Sequence, residues 1–220
     1  TWDASGDPAT VAVGTATHIL TSNGAGAAPT FQAAAGGGGA WNYITTVTAA
    51  AAATVDFESQ LSSTYGLYMI SGVDVHPSVD EPYLHALFGV GSTYATASEY
   101  SWIIYGFYGN GSWIDAHNNG APEMSMTGDS GGGDFTIGNG ADEGSAFNLY
   151  IPNPAGTTYN KTCSWKMTLG NGNNQLSEVV GCGGITHASS SGEDAITSIR
   201  FLMSTGNISG TFRLYGLATS

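Results

Sequence analysis

The sequence predicts an all-β protein, an antiparallel sandwich or jelly roll, and three observations carry that prediction. Charged residues make up only 10% of the chain, against roughly 25% in an ordinary globular protein, so the long charged side chains that favour helix surfaces are scarce. Glycine contributes 33 of the 220 residues, and turn-forming Ser, Thr and Asn fill much of the remainder. From Trp41 onward, apolar and polar residues alternate with period 2 in short runs, and no amphipathic helical stripe of useful length interrupts them.

The elements follow in order. Residues 1–32 precede the β domain, and their stretch from Val13 to Gln32 has only His18, Ile19, Leu20 and Phe31 as bulky groups. Such a segment cannot offset its own ordering entropy, so it is expected to be extended and to order against neighbouring chains. Residues 33–40, AAAGGGGA, offer almost no side chain to bury and read as a hinge. A β domain then spans 41–220. Val55, Phe57, Ser59 and Leu61 alternate with Thr54, Asp56, Glu58 and Gln60. Residues 65–75 form the next strand, and Leu84, Ala86, Phe88 and Val90 share one face of another. In residues 100–108, Tyr100, Trp102 and Ile104 point one way and Ile103, Tyr105 and Phe107 the other. Further strands are expected at 146–151, 162–169, 176–185, 196–203 and 208–217, separated by turns such as Gly109-Asn110-Gly111-Ser112 and Asn171-Gly172. Cys163, Trp165, Met167 and Leu169 mark the buried face of residues 162–169.

Charge excludes whole classes of partner. The net charge is -13, with Lys161, Lys166, Arg200 and Arg213 as the only basic residues. Nucleic acid needs a basic stripe, which four scattered cations cannot supply. No run reaches the ~18 apolar residues of a membrane span, so no membrane insertion is expected. A cell-surface partner must be met through neutral sugars, aromatic stacking or bridging cations. The chain opens on Thr1 rather than Met, which reads as processing or as an excerpt of a longer protein.

Two stretches carry a resemblance. Gly14-Thr15, Ile19-Leu20, Thr21-Ser22-Asn23-Gly24, Gly26, Pro29, Thr30 and Phe31 resemble a short motif common in phage tail-fibre proteins. Residues 196–217 are similar to the terminal hairpin of phage particle proteins with a jelly-roll-like fold. There a turn like Thr205-Gly206-Asn207 precedes a run like Gly210-Thr211-Phe212-Arg213-Leu214-Tyr215-Gly216. Tyr65, Tyr68 and Ile70, followed by Pro77 and Asp80, fit the same proteins.

The resemblance implies a homotrimer exposed on a phage virion, produced in the bacterial cytoplasm, with residues 1–40 contacting other virion proteins. Its job would be host-surface attachment to a glycan without catalysis. The alternative is a capsid or head-fibre decoration that stabilises the particle without a ligand. In a bacterial cytosol Cys163 and Cys182 are expected to be free, buried thiols.

Several motifs bear on chemistry. Aromatic residues crowd the stretch 94–113, and the loop expected after it carries Trp113, Asp115, His117 and Asn118. Aromatic rings beside hydrogen-bonding groups suit sugar recognition, which makes these four the candidate glycan contacts. Asp129, Asp134, Asp142 and Glu143 sit among glycines, the setting in which carboxylates can wrap Ca²⁺. They lack the spacing of an EF-hand. Gly128-Asp129-Ser130-Gly131-Gly132 reproduces the nucleophile loop of chymotrypsin-like serine proteases. His18 as base and Asp56 or Asp74 as acid would have to complete that triad. The five histidines form no H-x-H or H-E-x-x-H pair, and structural roles are expected of them.

Overall fold

The computed structural model describes residues 10–11, 13–16, 18–33, 41–129, 135–173, 175–185 and 194–217. The chain divides into two compact units, Thr1–Ala40 and Trp41–Ser220. Residues 34–40 of the expected hinge lie outside the described residues.

Among the described residues of the first unit, β1 (His18–Thr21) and β2 (Thr30–Ala33) form an antiparallel pair with Leu20 opposite Phe31. Its turn explains the sequence motif. Asn23 donates to the Ala28 carbonyl at 2.7 Å and accepts from the Gln32 amide at 2.8 Å, while Gly24 and Gly26 take the left-handed φ values of 92° and 81° that favour glycine. The hairpin leaves Ile19 and Leu20 about half exposed (53% and 52%).

The second unit is an antiparallel β-sandwich. Its strands are β3 (Trp41–Ala52), β4 (Val55–Phe57), β5 (Leu67–Pro77), β6 (Leu84–Val90), β7 (Thr93–Tyr94), β8 (Tyr100–Tyr108) and β9 (Trp113–Ala121). They continue with β10 (Met124–Ser125), β11 (Ser145–Pro152), β12 (Lys161–Gly170), β13 (Leu176–Ile185), β14 (Ser198–Met203) and β15 (Ile208–Leu217). One sheet has eight strands in the order β3-β15-β5-β11-β12-β13-β8-β9. The other runs β10-β6-β14-β4, with β7 beside β6.

Alternation builds the core. In β12 each of Cys163, Trp165, Met167 and Leu169 is buried while Thr162, Ser164, Lys166 and Thr168 face out. Phe147 and Phe212 from the large sheet meet Phe201 from the small one, with ring centroids 5.4 and 5.6 Å apart respectively. Gly72 makes this possible. It lies between Phe147 of β11 and Phe212 of β15 in register, and a Cβ there would strike the Phe147 ring. The two phenyl rings instead meet above the glycine at 6.0 Å. Gly181 holds the same position beneath the indole of Trp165. Tyr100 ties the sheets together: the Phe88 amide donates to its hydroxyl at 2.8 Å, and the hydroxyl donates to the Ala95 carbonyl at 3.1 Å.

The structure corrects four expectations. The strand expected over 54–61 stops at Phe57, because Ser59 turns to a positive φ of 54°; Leu61 is buried nonetheless, its amide bonded to Thr197. Val90 is 57% exposed at the end of β6 and does not share the core with Phe88. The stretch holding Trp113 to Asn118 is strand β9, the edge of the large sheet, and no loop. Finally, Cys163 and Cys182 are both free but only Cys163 is buried. They stand on opposite faces of the sheet, since Cys163 pairs with Gly183 and Ser164 with Cys182. Burial pushes the Cys163 thiol well above its ordinary pKa.

Candidate functional site

The aromatic-rich stretch forms one surface. Strand β8 sends Tyr100, Trp102 and Ile104 into the core and leaves Ile103, Tyr105 and Phe107 at 45%, 49% and 54% exposure. β9 pairs with it so that Trp113 lies opposite Phe107, Asp115 opposite Tyr105 and His117 opposite Ile103. Trp113 is 59% exposed. Three of the four expected glycan contacts therefore share one face. Asn118 is on the other: it pairs with buried Trp102, and its amide donates to Asp129 at 3.3 Å. Strand alternation separates it from its neighbours.

This face continues across the large sheet in register. One row runs Asp115, Tyr105, Val180 and Lys166, then Asn148, Ser71, Arg213 and Thr46. The next runs His117, Ile103, Cys182 and Ser164, then Tyr150, Met69, Tyr215 and Tyr43. Rings gather again at the far edge, where Tyr43 meets Tyr215 at 5.9 Å and Trp41 meets Tyr150 at 6.1 Å. Lys166 and Glu178 pair at 2.8 Å between the two edges, both more than half exposed.

The expected Ca²⁺ ligands fall in different places. Asp129 is bonded to Asn118, which is level with Cys163 of β12 through Trp102 and Gly183. Glu143 accepts the Gly140 amide at 2.6 Å and packs against Gly170, at the other end of β12. Seven residues of strand separate those levels, roughly 23 Å. Asp142 belongs with Glu143, and Asp134 lies outside the described residues. Among the described residues no three His, Cys, Asp or Glu side chains converge as metal ligands.

Of the protease-like motif, Ser130 also lies outside the described residues, and His18 belongs to the first unit. Asp56 is engaged: Arg200 donates two hydrogen bonds to it at 2.7 Å and lies over the Tyr94 ring at 4.1 Å. Burial, reinforced by nearby Asp56, pushes the Tyr94 phenol up to about 12. His85 is buried, with Nδ1 2.9 Å from Glu123. That contact holds the Glu123 carboxyl below its ordinary pKa, against the opposing effect of burial.

Set beside known proteins, the chain matches no protein family, no curated protein and no solved structure. Sequence reasoning located the aromatic face through the alternation in residues 100–108. It missed the far edge, where Tyr43, Tyr150 and Tyr215 gather only through the pairing of four strands, β3, β15, β5 and β11, most of them distant in sequence.

Proposed function

We propose that this protein is a non-enzymatic structural component of a phage virion, a homotrimeric fibre whose β domain attaches to a host-surface glycan. The observation that carries the attachment reading is the edge of the large sheet. Trp113 and Tyr105 offer open ring faces, with Asp115 and His117 beside them as hydrogen-bonding groups. The tail-fibre-like motif of residues 14–31 and the terminal hairpin of residues 196–217 support the virion assignment. Strand order supports a jelly-roll-like class. Apart from β7–β9 and β12–β13, the sandwich runs β3-β15-β5-β11 against β4-β14-β6-β10, the double Greek-key order of a jelly roll.

Binding of the full chain to host cells and to their extracted glycans tests the reading. Trp113→Ala and His117→Ala should each abolish retention, whereas Asn118→Ala, on the opposite face, should leave it intact. Equal retention by all three variants would remove the glycan site. A second reading, a decoration protein without ligand, draws on the apolar Ile103, Val180 and Phe107 of the same face, which offer a sugar no hydrogen bond. It expects no binding to cells or glycans by the wild-type chain.

A further inference from the structure

Three rings at the edge of the large sheet, Trp113, Phe107 and Tyr105, are exposed with their faces open. Among the described residues, every ring–ring contact and the cation–π contact of Arg200 with Tyr94 lie elsewhere. Register sets the three rings in one patch with a carboxylate. Trp113 pairs with Phe107 and Asp115 with Tyr105. The four side chains therefore stand on one face, about 5 Å apart across the strands and roughly 6.8 Å apart along them. Asp115 is exposed and makes no hydrogen bond or ion pair among the described residues. Glu178, opposite Phe107 on the other side, is already paired with Lys166 at 2.8 Å. Asp115 is thus the uncompensated carboxylate of the patch.

We propose that this patch seats a quaternary ammonium group, a trimethylammonium substituent carried by the host glycan. The inference rests on the glycan-attachment reading above and names the chemistry at the centre of that site. Aromatic faces attract a cation within about 6 Å of the ring centroid. A cation above the middle of the patch meets all three rings at roughly that distance. Asp115 supplies the opposite charge, and a chain carrying -13 draws cations and repels anionic sugars. The neighbouring side chains decide which cation fits. Ile103, Val180 and Phe107 surround Tyr105 and offer no hydrogen bond. A primary ammonium brings three N–H donors and finds Asp115 as its acceptor among them. A methylated ammonium brings no donor and lays its methyl groups on the apolar side chains. The sugar ring then lies toward His117, the next outward position of β9 after Asp115.

The test titrates the full chain with choline and with dimethylbutanol, its uncharged isostere with carbon in place of nitrogen. The two probes share one shape, so any difference reports the charge. Choline should bind at least about fivefold more tightly, and should displace the chain from extracted host glycan where the alcohol does not. Asp115→Asn and Trp113→Ala should each weaken choline binding by about fivefold or more. Asn118→Ala, on the opposite face, should leave it unchanged. The comparison of the two probes on the wild-type chain decides the matter even if a variant fails to fold. Equal or absent binding of the probes, with glycan retention still lost in Trp113→Ala, would overturn the cation and leave the glycan site standing. A wild-type chain that binds no extracted glycan would overturn both. Retention on phosphatidylcholine vesicles in place of the glycan would put the cation on a lipid, and the proposal would fall with the glycan reading.

Discussion

The row Phe147–Gly72–Phe212 makes a quantitative prediction. Placing a methyl group on Gly72 drives it into the Phe147 ring. Overpacking of this kind costs about 1–3 kcal/mol, offset by the ~0.5–1 kcal/mol that alanine gains over glycine in a strand. Gly72→Ala should therefore destabilise the domain by roughly 0.5–2 kcal/mol. Phe147→Leu removes the ring contacts with Phe201 and Phe212. At about 0.5–1.5 kcal/mol each, they amount to about 1–3 kcal/mol. Leucine lacks the Cε1 and Cζ atoms that the new methyl would strike, so the double variant should be more stable than the sum by about 1 kcal/mol or more. Urea unfolding at one fixed chain concentration, with unchanged m-values, measures all four corners of the cycle. Additivity within about 0.5 kcal/mol would show that the two side chains do not compete for the same space, and the account of Gly72 would be wrong.

Other expectations concern charge and thiols. Arg200→Lys loses the paired bonds to Asp56 and the planar contact over Tyr94, and should cost about 1 kcal/mol in the same unfolding assay. Because the folded pKa of Glu123 is lowered, its contact with His85 contributes stability above the ordinary carboxylate range. That contribution disappears as pH falls through the lowered value; Glu123→Gln should flatten the acid limb of the stability profile below the ordinary carboxylate range, measured by thermal melts across a series of acidic buffers. In a Cys182→Ser variant, the remaining thiol should react with a labelling reagent only at the rate of unfolding, since Cys163 is fully enclosed. Rapid labelling of the folded variant would contradict that burial.

Most of the sandwich was legible because its strands alternate bulky apolar and polar residues, as in 162–169 and 100–108. Strand β3 was not. Its run of Thr and Ala carries little period-2 signal, and what holds it is β15, more than 150 residues away in the chain. β9 was hidden for a different reason. Its inward position 118 is an asparagine, satisfied by Asp129, where a hydrophobe would have revealed the strand. Glycines misled in part. Gly24 and Gly26 serve the turns that composition implies, but Gly72 and Gly181 lie mid-strand beneath aromatic rings. Spacing alone cannot tell these roles apart, because the ring that needs the room comes from a neighbouring strand. The candidate site was half visible: local alternation exposed the β8 aromatics, whereas grouping Trp113, Asp115, His117 and Asn118 as one loop ignored the strand that divides them.

The order of strands in the large sheet also sets when this domain can fold. β15 is a central strand lying between β3 and β5, and among the described residues β3 has no other partner in the sheet. During synthesis, β3 thus emerges first among the strands of the sandwich yet waits for the last of them. The β8–β9 hairpin likewise waits for β13. Long-range pairings of this kind close late and slowly, and the unpaired edges meanwhile are open to other strands. The sheet completes only once β15 has left the ribosome, and a chain shortened by that one strand loses the link between β3 and β5 and leaves β3 without the strand it pairs with.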